Sequence, residues 1–366
     1  QGEAADKAMT FGDKAGQAFN QVHEAIVAAG IAVALKEIYE YFASCAQASM
    51  DFESAITGVA KTTDLTDEEL AAMSDSIKAL STEIPATTEE IAAATEAAGQ
   101  LGIQKDALLD FTEIMTMLGT ATNMTADEAA TSLARFANIT GMATDNYGRL
   151  GSVIVDLGNN FATTESEIVA MGTRLASAGK LAGLTEPEIM ALAAAMSSVG
   201  IEAEAGGTAM TQTLNAIEKA VAKGGDDLAE FARIAGMSSE EFSSAWKNDA
   251  MSALTSFIGG LGKLDEQGES TVLVLEDLGL TGIRQSNMLK ALGLAADQMT
   301  GAVNTANTAW QQNTALTNEA NKRYATAQSR LTMMQNAYNN LKVAIGDAYT
   351  PALSEAYGGG TKGLHK

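Results

Sequence analysis

The chain has 366 residues, a net charge of −23, and a composition that is 46% apolar but only 5% aromatic. Duplex phosphates and anionic bilayers repel such a surface, and no Lys/Arg cluster with interleaved aromatics offsets it, which argues against direct nucleic-acid or membrane binding. One cysteine, Cys45, excludes an internal disulfide, and the two histidines, His23 and His365, lie at opposite ends without metal-ligand or triad spacing.

The N-terminal stretch opens with Gln rather than Met and shows no signal peptide, so the chain is read as a piece of a longer polypeptide. Its longest apolar run, Ala25–Leu35, is closed by Glu24 and Lys36 and is too short to span a bilayer. Ile31, Leu35, Ile38, Phe42, Cys45, Ser49, Phe52 and Ile56 follow one another at alternating steps of four and three. That spacing is a heptad seam, interrupted once by a polar residue, and it predicts a long N-terminal helix over residues 1–60.

Residues 61–300 read differently. Only 3 prolines but 34 glycines stand in the whole chain, so helices are permitted and then stopped. Six capping boxes mark helix starts: Thr66–Glu69, Thr87–Glu90, Thr125–Glu128, Thr164–Glu167, Thr185–Glu188 and Ser238–Glu241. Leu65 with Leu70, Leu184 with Ile189 and Met237 with Phe242 add hydrophobic staples. Glycines 99, 102, 119, 179, 183, 200, 236, 279 and 293 are expected to mark helix ends. The stretches 87–138 and 163–215 resemble each other: each opens with Thr-Thr and a capping Glu, passes A-G-(Q/K)-L and a glycine turn, and continues through a Met/Leu-rich helix to a small-residue helix. They are read as two pseudo-repeats of one helical unit.

Chemical motifs in this region fall short. The run Gly259–Lys263 lacks the spacing and the hydroxyl of a phosphate loop. Asp64–Glu69 lacks a calcium loop's alternating ligands and glycine, and is read as acids at a helix start. Thr271–Glu276 (TVLVLE) fits a strand or a buried helix equally. No carboxylate pair stands out as an acid/base couple. The expectation is an all-α, non-enzymatic protein with no catalytic residue, metal or cofactor.

In the C-terminal stretch, Ala320, Tyr324, Ala327, Leu331, Met334, Tyr338, Leu341 and Ile345 again alternate steps of four and three. A heptad helix is expected over residues 301–357, followed by a flexible tail over 358–366. The two end seams (Ile31, Leu35, Ile38, Phe42, Phe52 and Ile56; Tyr324, Leu331, Met334, Tyr338, Leu341 and Ile345) must bury their apolar side chains. They can do so within the chain or between copies, and spacing does not choose.

The segment Phe52–Ile103 carries F-E-x-x-I-x-G-V, L-T-x-E-E-L and T-x-E-E-I-A-x-A-x-E-A-A-G-Q-L-G-I in that order. With LGTATNMTADEAA, the A-G-x-x-A-G-L-T turn, SSVGIEAEAGGTAM and the late LKVAIGDAYTPAL, it closely resembles the core region of phage tail tape-measure proteins, also called phage minor tail proteins. The resemblance covers about residues 50–355. It implies a virion scaffold inside the tail tube, made in the host cytoplasm, that sets tail length and templates tail-tube polymerisation. Its implied partners are the tail-tube protein, tail assembly chaperones, tail-tip proteins and further copies of itself. The family's long apolar downstream region is missing here, so any membrane contact belongs to regions outside these residues. Residues 60–300 are then expected to be an assembly head, and a ruler is expected to begin near residue 305, as an acidic small-residue rod able to slide in a tube. The competing reading is a secreted helical effector or pore-former, which needs a long apolar hairpin.

Overall fold

Local chemistry sets the helix boundaries. The computed structural model describes residues 11–264 and 266–361, with side chains described for residues 33, 36–38, and 40–348 other than 265. Among the described residues there is no strand, and the seventeen α-helices are α1 (Phe11–Thr62), α2 (Asp67–Glu83), α3 (Thr88–Gln100), α4 (Leu108–Ala121), α5 (Ala126–Thr140), α6 (Tyr147–Asn160), α7 (Glu165–Leu181), α8 (Glu186–Ser198), α9 (Ala203–Lys223), α10 (Asp226–Ile234), α11 (Ser239–Asn248), α12 (Ala250–Leu261), α13 (Thr271–Asp277), α14 (Ile283–Leu294), α15 (Ala296–Gln312), α16 (Ala315–Tyr324) and α17 (Ala327–Thr361). The protein is all-α.

All six capping boxes start a helix. At α5 the Thr125 hydroxyl accepts from the Glu128 N–H at 3.2 Å, and the Thr125 N–H donates back to the Glu128 carboxylate at 2.8 Å. The same reciprocal pair opens α2, α3, α7 and α11, at Thr66, Thr87, Thr164 and Ser238. At α8 the Glu188 carboxylate accepts from the Thr185 N–H at 2.8 Å. Each box satisfies amide groups that a helix start leaves without partners.

Several helix ends share one geometry. Gly102 and Gly183 adopt φ of 79° and 88°, a left-handed conformation that glycine reaches without a Cβ clash. The next, apolar residue then reaches back into the helix: Ile103 N–H to the Ala98 carbonyl at 3.1 Å, and Leu184 N–H to the Gly179 carbonyl at 2.9 Å. Not every expected stop is one. Gly119 lies inside α4 and Gly293 inside α14. At Gly119 a Cβ would come within 2.7 Å of the Ala126 amide nitrogen, so this glycine serves close approach of α4 and α5 rather than termination.

The chain divides into two compact units, one of residues 55–336 and one of residues 1–54 with 337–366. In the larger unit the stretch 87–138 holds α3, α4 and most of α5, which pack on one another, and the stretch 163–215 holds α7, α8 and the first part of α9, with α7 packed on both. Helix α6 connects the two groups and packs on α4, α7, α8, α15 and α16. At the centre, α8 is buried on every side: each residue from Ile189 to Met196 is at most 1% exposed. An apolar circumference of that kind is a helix wrapped by others, here by α6, α7, α14 and α15. Its alanines keep the neighbouring backbones close. A smaller aromatic cluster joins α10, α11 and α12, where Phe231 and Phe257 lie 5.0 Å apart between ring centres.

One open reading is resolved and one expectation changes. Thr271–Asp277 is helical, with Thr271, Val274 and Leu275 buried at helical spacing. The C-terminal stretch is three helices rather than one, broken after Gln312 and after Tyr324. Ala25–Leu35 lies within α1, but most of its side chains, like His23 and His365, fall outside the described residues. Among the described residues no helix is long and apolar enough to cross a membrane.

Candidate assembly surface

In the smaller unit, α1 and α17 meet through small side chains. Gly346 sits directly on the Cys45 carbonyl, where a Cβ would collide with the backbone. Beside it the Ser49 hydroxyl donates to the Asp347 carboxylate at 2.6 Å. The one polar step in the N-terminal seam is thereby a buried, partnered residue. Cys45, Ser49 and Phe52 on α1 and Val343 on α17 are each at most 5% exposed.

The apolar seam residues are distributed between buried and open positions. On the N-terminal seam Phe52 is buried, Phe42 and Ile56 are half-buried, and Ile38 is 53% exposed. The side chains of Ile31 and Leu35 lie outside the described residues. On α17, Leu331 is 41%, Met334 64%, Tyr338 49% and Leu341 53% exposed, while Ile345 is half-buried, as is Tyr324 on α16. Lys342 lies over the Tyr338 ring at 5.1 Å.

Within the larger unit, the most buried residue at the start of α17 is polar. Asn336 is 4% exposed and its amide donates to two backbone carbonyls, Ser81 at 2.8 Å and Ala86 at 2.7 Å, in the turn between α2 and α3. Heptad reasoning misses Asn336 because a polar side chain off the seam reads as solvated; its only sequence signal is the run of asparagines at 336, 339 and 340.

Several acids that line grooves of the larger unit are engaged in helix caps. One groove, about 470 Å3, is lined by Pro85, Ala86, Ala93, Met124 and the acids Glu90 and Asp127, among others. Glu90 is held by the Thr87 N–H at 2.8 Å. A more polar groove of about 280 Å3 has Glu188 and Asp249 in its wall. Glu188 accepts from the Thr185 N–H, and Asp249 accepts from the Ser252 N–H at 3.1 Å. At four other helix starts a backbone amide bonded to the carboxylate favours its ionised form. The Thr125, Thr164 and Ser238 amides hold Glu128, Glu167 and Glu241 below the usual carboxylate range, and Lys105 followed by the Thr66 amide does so for Glu69. No group of three or more His, Cys, Asp or Glu capable of holding a metal occurs among the described residues. The glycines at 259 and 260 lie inside α12, so they form no phosphate loop.

The C-terminal stretch, expected to be acidic, is not. Residues 301–357 carry Glu319, Asp347 and Glu355 against Lys322, Arg323, Arg330 and Lys342.

A family profile described as phage-related minor tail protein matches residues 74–275, slightly more than half of the chain. No curated protein and no solved structure matches it.

Proposed function

The chain belongs to the phage-related minor tail protein family, and on that premise we propose that it is the front part of a tail tape-measure protein. As a family member it is a structural component of the phage tail, and hence of the virion. The finer reading gives its two kinds of sequence two tasks. The glycine-broken larger unit is an assembly head that engages tail-tip proteins and tail assembly chaperones. The helical stretch from near residue 305 begins a ruler, around which the tail-tube protein polymerises inside the growing tube. Copies of the chain associate through the open apolar residues of α17.

The observation that supports this reading most is a contrast in helix-breaking residues. No glycine or proline stands between Gly301 and Gly346, whereas the preceding head is punctuated throughout. An unbroken helix rises ~1.5 Å per residue and so converts residue count into length; a folded head does not. The partners named are engaged through surfaces, and Glu90, Glu188 and Asp249, which line grooves of the larger unit, serve as helix caps.

The test is made in the phage. Duplicating residues 327–354, 28 residues inside the unbroken α17, lengthens the tail by about 42 Å in electron micrographs. Duplicating an equal length inside α7–α8 abolishes tail assembly instead. Tails of unchanged length from the first variant overturn the ruler reading.

A further inference from the structure

We propose that the outward face of α14 is a docking surface for an acidic, amphipathic helix of another tail protein. The inference rests on membership of the tail-protein family and not on the ruler.

Helix α14 already has a complete core face. Gln285, Met288, Leu289 and Leu292 step by threes and fours and are buried, with α14 packed on α9 and α12. Gln285 is anchored there and donates to the Thr213 hydroxyl at 3.1 Å. Gly293 lies against Gly262 of α12, where a Cβ on Gly262 would collide with the Gly293 carbonyl. One apolar face is what a helix needs to be held in a folded unit.

The opposite face carries large apolar side chains as well. Ile283 is 80% and Leu294 87% exposed. They are eleven residues apart, close to three full turns, so they point the same way about 16 Å from each other. Asn287 and Lys290 lie between them on that face, with Arg284 at its flank. The preceding helix α13 packs on α14 and adds Val272 and Leu273, each more than half exposed. Single exposed apolar side chains are ordinary, but four on two neighbouring helices that are already anchored mark a contact surface.

Charge says what covers it. From Leu278 to Ala296 there are two bases and no acid, in a chain with 46 acids and 23 bases. Arg284 is exposed and Lys290 half-buried, and neither is in an ion pair among the described residues. The helix start has the same sign. The capping-box helices carry two or three acids in their first turns, whereas α14 carries none and has no side-chain cap, which leaves the positive end of its dipole uncompensated. The complement is a helix with Asp or Glu between two apolar side chains three turns apart. The same face of a second copy is not that complement, because a symmetric pair sets Arg284 and Lys290 against their own equivalents. Glu276 and Asp277 at the end of α13 and Asp297 at the start of α15 bound the surface, and their charge repels an acidic partner that slides off it.

The test places a photo-crosslinking benzoylphenylalanine at position 283, at position 294 or, as a control, at the exposed Thr208 of α9, in the full chain made in phage-producing cells. Mass spectrometry identifies the captured residues. Positions 283 and 294 are expected to capture one segment of another tail protein, with more acids than bases within a turn of the captured residues. Arg284→Glu combined with Lys290→Glu lowers capture about tenfold or more, while Arg284→Lys combined with Lys290→Arg keeps it. Arg284→Glu alone, at an exposed first-turn site where an acid favours the helix, lowers capture without lowering the melting temperature, so a folding defect in the double variant does not decide the outcome. The proposal is overturned if positions 283 and 294 capture no more than position 208, or if the captured segment is basic or belongs to a second copy of this chain. It is equally overturned if capture survives the charge reversal.

Discussion

Replacing Leu331, Met334, Tyr338 and Leu341 together by Gln separates the two states in which those residues can live. Gln has nearly the helix propensity of Leu and Met, so α17 itself is not weakened. In the isolated chain the four side chains are 41–64% exposed, and surface substitutions of this kind usually stay within about 0.5 kcal/mol each. If copies associate through them, the exposed half of each side chain becomes buried. Full burial of a Leu or Met side chain is worth about 1.5–3 kcal/mol, so half of it is about 1 kcal/mol. Four residues then contribute about 4 kcal/mol per chain, and about 8 kcal/mol per pair. Even if only half of that area is covered, the pair loses about 4 kcal/mol, close to a thousandfold in Kd. Sedimentation equilibrium measures the association, and thermal melting of the dilute protein measures the fold. The expected result is a loss of association near that size with a melting temperature that barely moves. Unchanged association refutes the reasoning, and so does a melting temperature that falls steeply, because the residues would then be part of the internal packing.

Other consequences can be checked one at a time. Thr125→Ala removes a reciprocal cap and costs about 1 kcal/mol, seen as a lower denaturation midpoint, whereas Thr125→Ser restores it. Acid weakens the larger unit: Glu69, Glu128, Glu167 and Glu241 are held below their ordinary pKa when folded, so their stabilisation is complete above the unfolded value and lost as pH falls through the folded ones. Burial raises Glu113 and Asp156 and acts in the opposite sense at fewer sites, so the melting temperature should decline steadily below about pH 5. Asn336→Leu leaves the Ser81 and Ala86 carbonyls without their donor and lowers the urea-unfolding free energy by about 3 kcal/mol. Gly346→Ala drives a methyl group into the Cys45 carbonyl, so amides of α1 near residue 45 should exchange hydrogen faster while those of α8 do not change.

The helix starts were legible because a capping box is a local exchange between residues three apart, and every Thr-x-x-Glu or Ser-x-x-Glu singled out does open a helix. Glycine was less reliable because it does two jobs that look the same in sequence. At Gly102 and Gly183 it supplies a left-handed turn, and at Gly119 and Gly293 it lets two backbones touch. The breaks at Asn313 and Tyr324 were missed because their local signals are weak: an asparagine that tolerates a left-handed turn, held by Ser152 and Arg149 more than 150 residues away in sequence, and a Thr326–Ser329 cap at the start of α17. The contact face of α17 was hidden by its composition. Asn336, Val343 and Gly346 carry it, and two of the three leave no trace in a hydrophobic pattern.

That composition explains why α17 can hold its apolar seam in reserve. A helix that packs by leucine and phenylalanine spends its apolar stripe on its own chain and has nothing left to offer another. Here the internal contacts include an asparagine amide, a serine–aspartate bond and a glycine against a carbonyl, with Val343 buried beside them. Polar bonds and close backbone approach do not require the seam, so Leu331, Met334, Tyr338 and Leu341 remain available. The charges sit consistently with this. Between Ala320 and Ile345 there are four bases and no acid, so on the proposed association the acidity of the rest of the chain does not oppose contact along α17. Screening should therefore matter more for the heads than for the rods. Raising the salt concentration relieves repulsion between chains of net charge −23 over a Debye length of about 10 Å at 0.1 M, so association through α17 should strengthen with salt. Association that dissolves in salt would mean that opposite charges, not the apolar seam, bring the copies together.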